Sequence, residues 1–71
     1  MSADTIRVRV NGEDREIPSG LSVHALLESF DLKPEMIVVE RNRETLTRDD
    51  YPTAAVAEGD VLELVHFVGG G

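Results

Sequence analysis

The chain has 71 residues, enough for one small domain near the lower size limit of an unstapled core, since a chain this short buries only about 60% of its unfolded surface. Fourteen acidic against seven basic side chains give a formal charge of -7, which disfavours nucleic acid and anionic membrane as partners and points to proteins with basic docking surfaces. The absence of Cys excludes a disulfide framework, a thiolate nucleophile and a thiolate metal site, while the 41% of hydrophobic residues are periodically placed and argue against disorder.

No apolar run approaches the ~20 residues that cross a bilayer, and Met1-Ser2-Ala3-Asp4 lacks the basic and apolar regions of a signal peptide. The expectation is a cytoplasmic protein. From Thr5 to Val10 apolar and polar residues alternate, placing Ile6, Val8 and Val10 on one face of a strand and Arg7 and Arg9 on the other. Asn11-Gly12 suits a type I′ turn, so Arg15 to Ile17 should return antiparallel, and Pro18-Ser19-Gly20 breaks the hairpin off.

Ser22 is placed to cap a short helix whose apolar stripe is Val23, Leu26, Leu27 and Phe30, with Leu21 available as a staple onto Leu26. Pro34 limits that helix to an end by Asp31 to Lys33. Ile37-Val38-Val39 is a continuous β-branched run, expected of a strand covered on both faces, and the charged cluster Glu40 to Glu44 reads as a turn. Thr45-Leu46-Thr47 fits a short edge strand. Arg48 to Ala57 has no periodicity and reads as a surface crossing anchored by Tyr51 and Val56.

Glu58-Gly59-Asp60 turns the chain into a last strand, Val61 to Val68, with Leu62, Leu64 and His66 on one face and Glu63, Val65 and Phe67 on the other. The uncharged Leu face is assigned to the core. This order of elements predicts an α+β fold, one small mixed sheet packed on one main helix, as a single domain over residues 1–71 with a flexible glycine tail, 69–71.

The strand runs straight into Gly69-Gly70-Gly71. Terminal residues that are not tied down are solvent-accessible, and glycines without Cβ thread narrow slots, so the Gly71 carboxylate is expected to be the reactive end presented by the rest. A glycine run is also what a flexible linker looks like, but linkers usually interleave Ser and a polar spacer, and neither is present.

Val10-Asn11-Gly12, the segment Ile17 to Leu27, Val39-Glu40-Arg41-Asn42, Glu58-Gly59-Asp60 and the ending Val65-His66-Phe67-Val68-Gly69-Gly70-Gly71 together resemble the ThiS family of bacterial sulfur carriers in thiamin biosynthesis. The likeness spans residues 6 to 71, and it implies a ubiquitin-like β-grasp fold. Arg43 departs from it, standing where the family often has a residue better suited to a tight turn, and the acid-rich Arg48 to Tyr51 segment has no counterpart reading.

The resemblance further implies that Gly71 is adenylated with ATP and converted to a thiocarboxylate that donates sulfur for thiazole formation. Its implied partners are a ThiF-type adenylyltransferase, a persulfide sulfur donor and the thiazole synthase ThiG. On this reading the chain is a protein cosubstrate and no enzyme; it binds no cofactor itself, the ATP being used by the activating partner. His24 and His66, without Cys or a positioned acidic cluster, make no metal constellation, and Asp49-Asp50 reads as a solvated turn. Val65, Phe67 and Val68, apolar residues beside the tail, are the candidates for partner contact. Other readings are the small subunit of molybdopterin synthase, which uses the same diglycine thiocarboxylate, a modifier that forms isopeptide bonds, and a noncovalent binding module.

Overall fold

In the computed structural model, which describes residues 4–66, the alternating segment forms β1 (Thr5–Val10) with Val8 and Val10 buried and Arg7 and Arg9 exposed. Asn11 and Gly12 both take positive φ, 51° and 84°, as a two-residue type I′ turn requires. Strand β2 (Glu13–Pro18) therefore returns antiparallel, with Thr5 opposite Pro18 and Val10 opposite Glu13.

Helix α1 (Val23–Ser29) starts at Ser22, whose Oγ accepts a hydrogen bond from the Ala25 amide at 3.0 Å. The two amides before it are taken by the crossing segment, Val23 N–H donating to the Ala54 carbonyl at 2.8 Å and His24 N–H to that of Tyr51 at 3.0 Å. The first turn thus leaves none of these donors to a ligand. At the other end Asp31 takes φ 64°, the left-handed position normally given to glycine, while Leu32 N–H bonds the Leu27 carbonyl and Asp31 N–H that of Glu28. The stripe Val23, Leu26 and Leu27 is fully buried and Phe30 half-buried, as the helical spacing requires.

A 3-10 turn (Pro34–Met36) leads into β3 (Ile37–Arg41). Here one expectation is corrected: only Ile37 and Val39 are buried, while Val38 points to the open face of the sheet, because a single helix covers a single face. A second correction concerns the charged cluster. Glu40 and Arg41 belong to β3 and Glu44 to β4 (Glu44–Thr45), so the turn is only Asn42-Arg43, with φ 51° and 73°. The edge strand starts and ends earlier than expected, and Leu46 leaves it half-buried against the core.

The crossing contains a 3-10 turn (Arg48–Asp50) that delivers Tyr51, 2% exposed, under the sheet. Its Oη donates to the Ile37 carbonyl at 2.8 Å and accepts from the Val39 amide at 3.1 Å. The tyrosine hydroxyl thereby continues the hydrogen bonding of β3 beyond the two-residue β4. Val56 is the second anchor, with its N–H donating to the Leu21 carbonyl at 3.0 Å.

Strand β5 (Val61–His66) completes a five-stranded sheet in the order β2-β1-β5-β3-β4. It runs parallel to β1 and antiparallel to β3, so the last strand lies in the middle of the sheet. The inner face supplies Val8, Val10, Ile17, Ile37, Val39 and Leu62 to one core shared with α1, Tyr51 and Val56. Each fully buried aliphatic side chain contributes about 1.5–3 kcal/mol. This is the expected α+β fold, a mixed sheet grasping one helix.

Candidate functional site

The candidate site is the end of β5, and both neighbouring turns fix that strand. Asn11 Oδ1 accepts from the Leu64 amide at 2.8 Å, and Asn42 Oδ1 accepts from the Val61 amide at 2.9 Å. Both asparagines also donate their own amides to β5, Asn11 to the Leu62 carbonyl and Asn42 to that of Val61. Asn tolerates the left-handed backbone of a turn and accepts hydrogen bonds through its side chain, so one residue type serves both needs.

Along β5, Leu62 is fully buried and Leu64 half-buried, while Val61, Glu63 and Val65 face outwards. Val65 is 59% exposed and Val61 43%, large values for β-branched residues. With Val38, Glu40, Arg43, Thr45 and Glu63 they line a shallow concavity of about 480 Å³ on the uncovered face of the sheet. Of the partner-contact candidates, Val65 is thus on this open surface; Phe67, Val68, Gly69, Gly70 and Gly71 lie outside the described residues.

His66 is exposed and borders a second, smaller groove with Phe30, Leu32 and Leu64. His24 sits on α1 with its Nε2 3.3 Å from Glu28 Oε2, one turn along the helix. The two histidines occupy separate elements. Asp49 and Asp50 form the exposed 3-10 turn, where Thr47 Oγ1 donates to Asp50 Oδ2 at 2.8 Å. Among the described residues no group of three or more His, Asp or Glu is arranged to hold a metal ion. Asp60, 7% exposed, is occupied structurally, its carboxylate accepting from the Ala57 amide at 2.9 Å and from Asn42 Nδ2 at 3.2 Å, with Arg41 at 4.0 Å.

Sequence reasoning missed the clamping role of Asn11 and Asn42, the hydroxyl of Tyr51 and the facing of Glu40 and Glu63. Only the asparagines carried a readable signal, since Asn before a positive-φ residue marks a turn.

A model of the ThiS family matches residues 8–71. The chain belongs to the ThiS family. It is 35% identical over 65 residues to the sulfur carrier protein ThiS of Bacillus subtilis, covering 90% of this chain and 98% of that one. The crystal structure of a thiamine biosynthesis protein, ThiS, from Geobacter metallireducens superimposes with a TM-score of 0.80 at 32% identity, covering 93% of this chain and all of that one. A thiazole synthase of Magnetococcus marinus is 35% identical over 66 residues, 93% of this chain, which spans only 20% of that protein's length. A designed protein on the template of human ubiquitin shares the fold alone, with a TM-score of 0.54 at 22% identity. The sheet and helix of this ThiS-family chain are accordingly a ubiquitin-like β-grasp. Among its described residues, no helix is long and apolar enough to cross a membrane.

Proposed function

We propose that this chain is a sulfur carrier of thiamin biosynthesis, whose Gly71 carboxylate becomes a thiocarboxylate and delivers sulfur to a thiazole synthase. The observation that carries the reading is a family match that runs to Gly71, together with a relative named as a sulfur carrier that is similar over 98% of its own length. Among the described residues the buried carboxylate of Asp60 serves the fold, accepting from the Ala57 amide.

The chemistry follows from the carboxylate. Direct attack on it would have to expel oxide, so an oxygen of the Gly71 carboxylate first attacks the α-phosphorus of ATP on an adenylyltransferase, with pyrophosphate leaving. A persulfide sulfur then attacks the acyl carbon and AMP departs. Cleavage of the remaining S–S bond by a thiol releases the thiocarboxylate and leaves a disulfide behind. This chain contributes presentation: a central strand held on both sides, an exposed valine surface beside it, and glycines that pass where a Cβ would collide.

The test is the intact mass of the protein isolated from cells that make thiamin. A species with one oxygen exchanged for sulfur, lost when Gly71 is removed, is the expected result. Ladders of conjugates would indicate a modifier instead, and an unchanged mass under all conditions a binding module.

A further inference from the structure

The open sheet face carries a charge arrangement that the fold does not need. Glu40 and Glu63 stand directly opposite one another across β3 and β5, and Val38 and Val65 form the next pair on the same face. Opposed residues in an antiparallel pair have Cβ atoms about 4.5–5.5 Å apart, and like charges there destabilise the sheet. Thr45, opposite Glu40 on its other side, is uncharged.

Arg9, on the open face of β1, pairs with Asp14, while Arg15 and Arg41 lie on the helix side of the sheet, where Arg15 stacks over Phe30 and Arg41 donates to the Ala55 carbonyl. Arg43 borders the same concavity, yet among the described residues it forms no ion pair with either glutamate. Among the described residues neither of the two facing carboxylates has an ion-pair partner, and both lie inside a rim made by Val38, Val61 and Val65.

We infer that Glu40 and Glu63 together receive one arginine side chain of the thiazole synthase, whose aliphatic stem lies on Val38, Val61 and Val65; the inference rests on the carrier reading above. Charge complementarity selects a cation, and the surroundings select which kind. A guanidinium carries five donors in a planar fork that can serve two carboxylates at once, and it is more weakly hydrated than an ammonium. Its stem suits an apolar rim. A calcium ion wants six or more oxygen ligands, and valines supply none. The choice of thiazole synthase follows from two relatives of that name in which a segment similar to this chain makes up 20% of one polypeptide, so the two parts are held together covalently.

The experiment titrates the cognate thiazole synthase with the full chain, wild type, Glu40→Gln, Glu63→Gln and the double variant, at low and high salt, with a melting curve for each. Glutamine keeps the shape and removes the charge. The expected outcome is a loss of about tenfold or more in affinity for each single variant and a weaker salt dependence, with melting temperatures unchanged or raised. Equal affinity for all four proteins, or a loss matched by a lower melting temperature, overturns the inference. So does a melting temperature raised in wild type by calcium alone, which would make the pair a cation site. If the double variant binds normally while wild type still acquires sulfur in cells, the arginine acceptor fails and the carrier reading stands; if wild type neither binds the synthase nor acquires sulfur, both fail.

Discussion

Asn11 and Asn42 hold the same strand from opposite sides: each is the first residue of a two-residue turn, each has φ 51°, and each accepts through Oδ1 from an amide of β5. The strand that leads to the tail is thus fastened by side chains as well as by its ladders. Replacing either asparagine with Ala removes that acceptor and places a Cβ-bearing residue without Asn's tolerance in the left-handed region. The expected loss is about 1–3 kcal/mol for each variant, and less for Gly, which keeps the backbone geometry. Denaturant melts of the four single variants provide the comparison; an Ala variant no weaker than its Gly counterpart would show that backbone geometry is not what these turns demand.

Tyr51→Phe should cost about 1–3 kcal/mol, although it removes a single oxygen. The hydroxyl serves two backbone groups of β3, and both would lose a buried partner at once. Amide exchange reads the effect locally: the Val39 N–H should exchange faster in the variant. Unchanged protection at Val39 would mean that water replaces the hydroxyl.

How much of this was legible in the sequence follows from which interactions are local. The period-2 pattern of Thr5 to Val10, the Asn11-Gly12 turn and the helical spacing of Val23, Leu26 and Leu27 are each set by neighbours within one element, and all appear as expected. Val38 was misread because a run of three β-branched residues looks alike whether a sheet is covered on one face or two, and coverage is a property of the whole fold. The Glu40–Glu63 pair was invisible for a related reason, since it exists only through the register of β3 on β5. Tyr51 was recognised as an anchor, but its hydroxyl acquires partners only because β4 stops after two residues.

Arg43→Gly is expected to stabilise the fold by about 1 kcal/mol. Arginine at φ 73° bears the steric cost of the left-handed region, roughly 1–2 kcal/mol for a residue with a Cβ, whereas the equivalent position of the first hairpin is Gly12. Part of the gain returns as the larger entropy of glycine in the unfolded chain. A thermal melt decides the sign. A lower melting temperature in Arg43→Gly would show that the arginine side chain makes contacts worth more than its backbone strain.

The last prediction separates the tail from the fold. Among the described residues the core runs from Val8 to Leu62, with Leu64 packed at its margin. Deleting Gly71, or replacing Gly70 with Ala, is expected to leave the melting temperature within about 2–4 °C of wild type, the shift that corresponds to the ±0.5 kcal/mol of a change outside the core. Adenylation is a different matter. In the proposed carrier chemistry the activating enzyme brings ATP's α-phosphorus to the terminal carboxylate, so a chain one residue short would present that group a residue's length away from the reacting atom, and a Cβ at Gly70 would meet whatever walls of the slot approach the backbone. ATP–pyrophosphate exchange with the cognate adenylyltransferase should fall by on the order of 100-fold or more, the usual penalty for misplacing a reacting group by an ångström or more. Normal exchange by the shortened chain would remove Gly71 from the reaction and with it the proposed carrier chemistry.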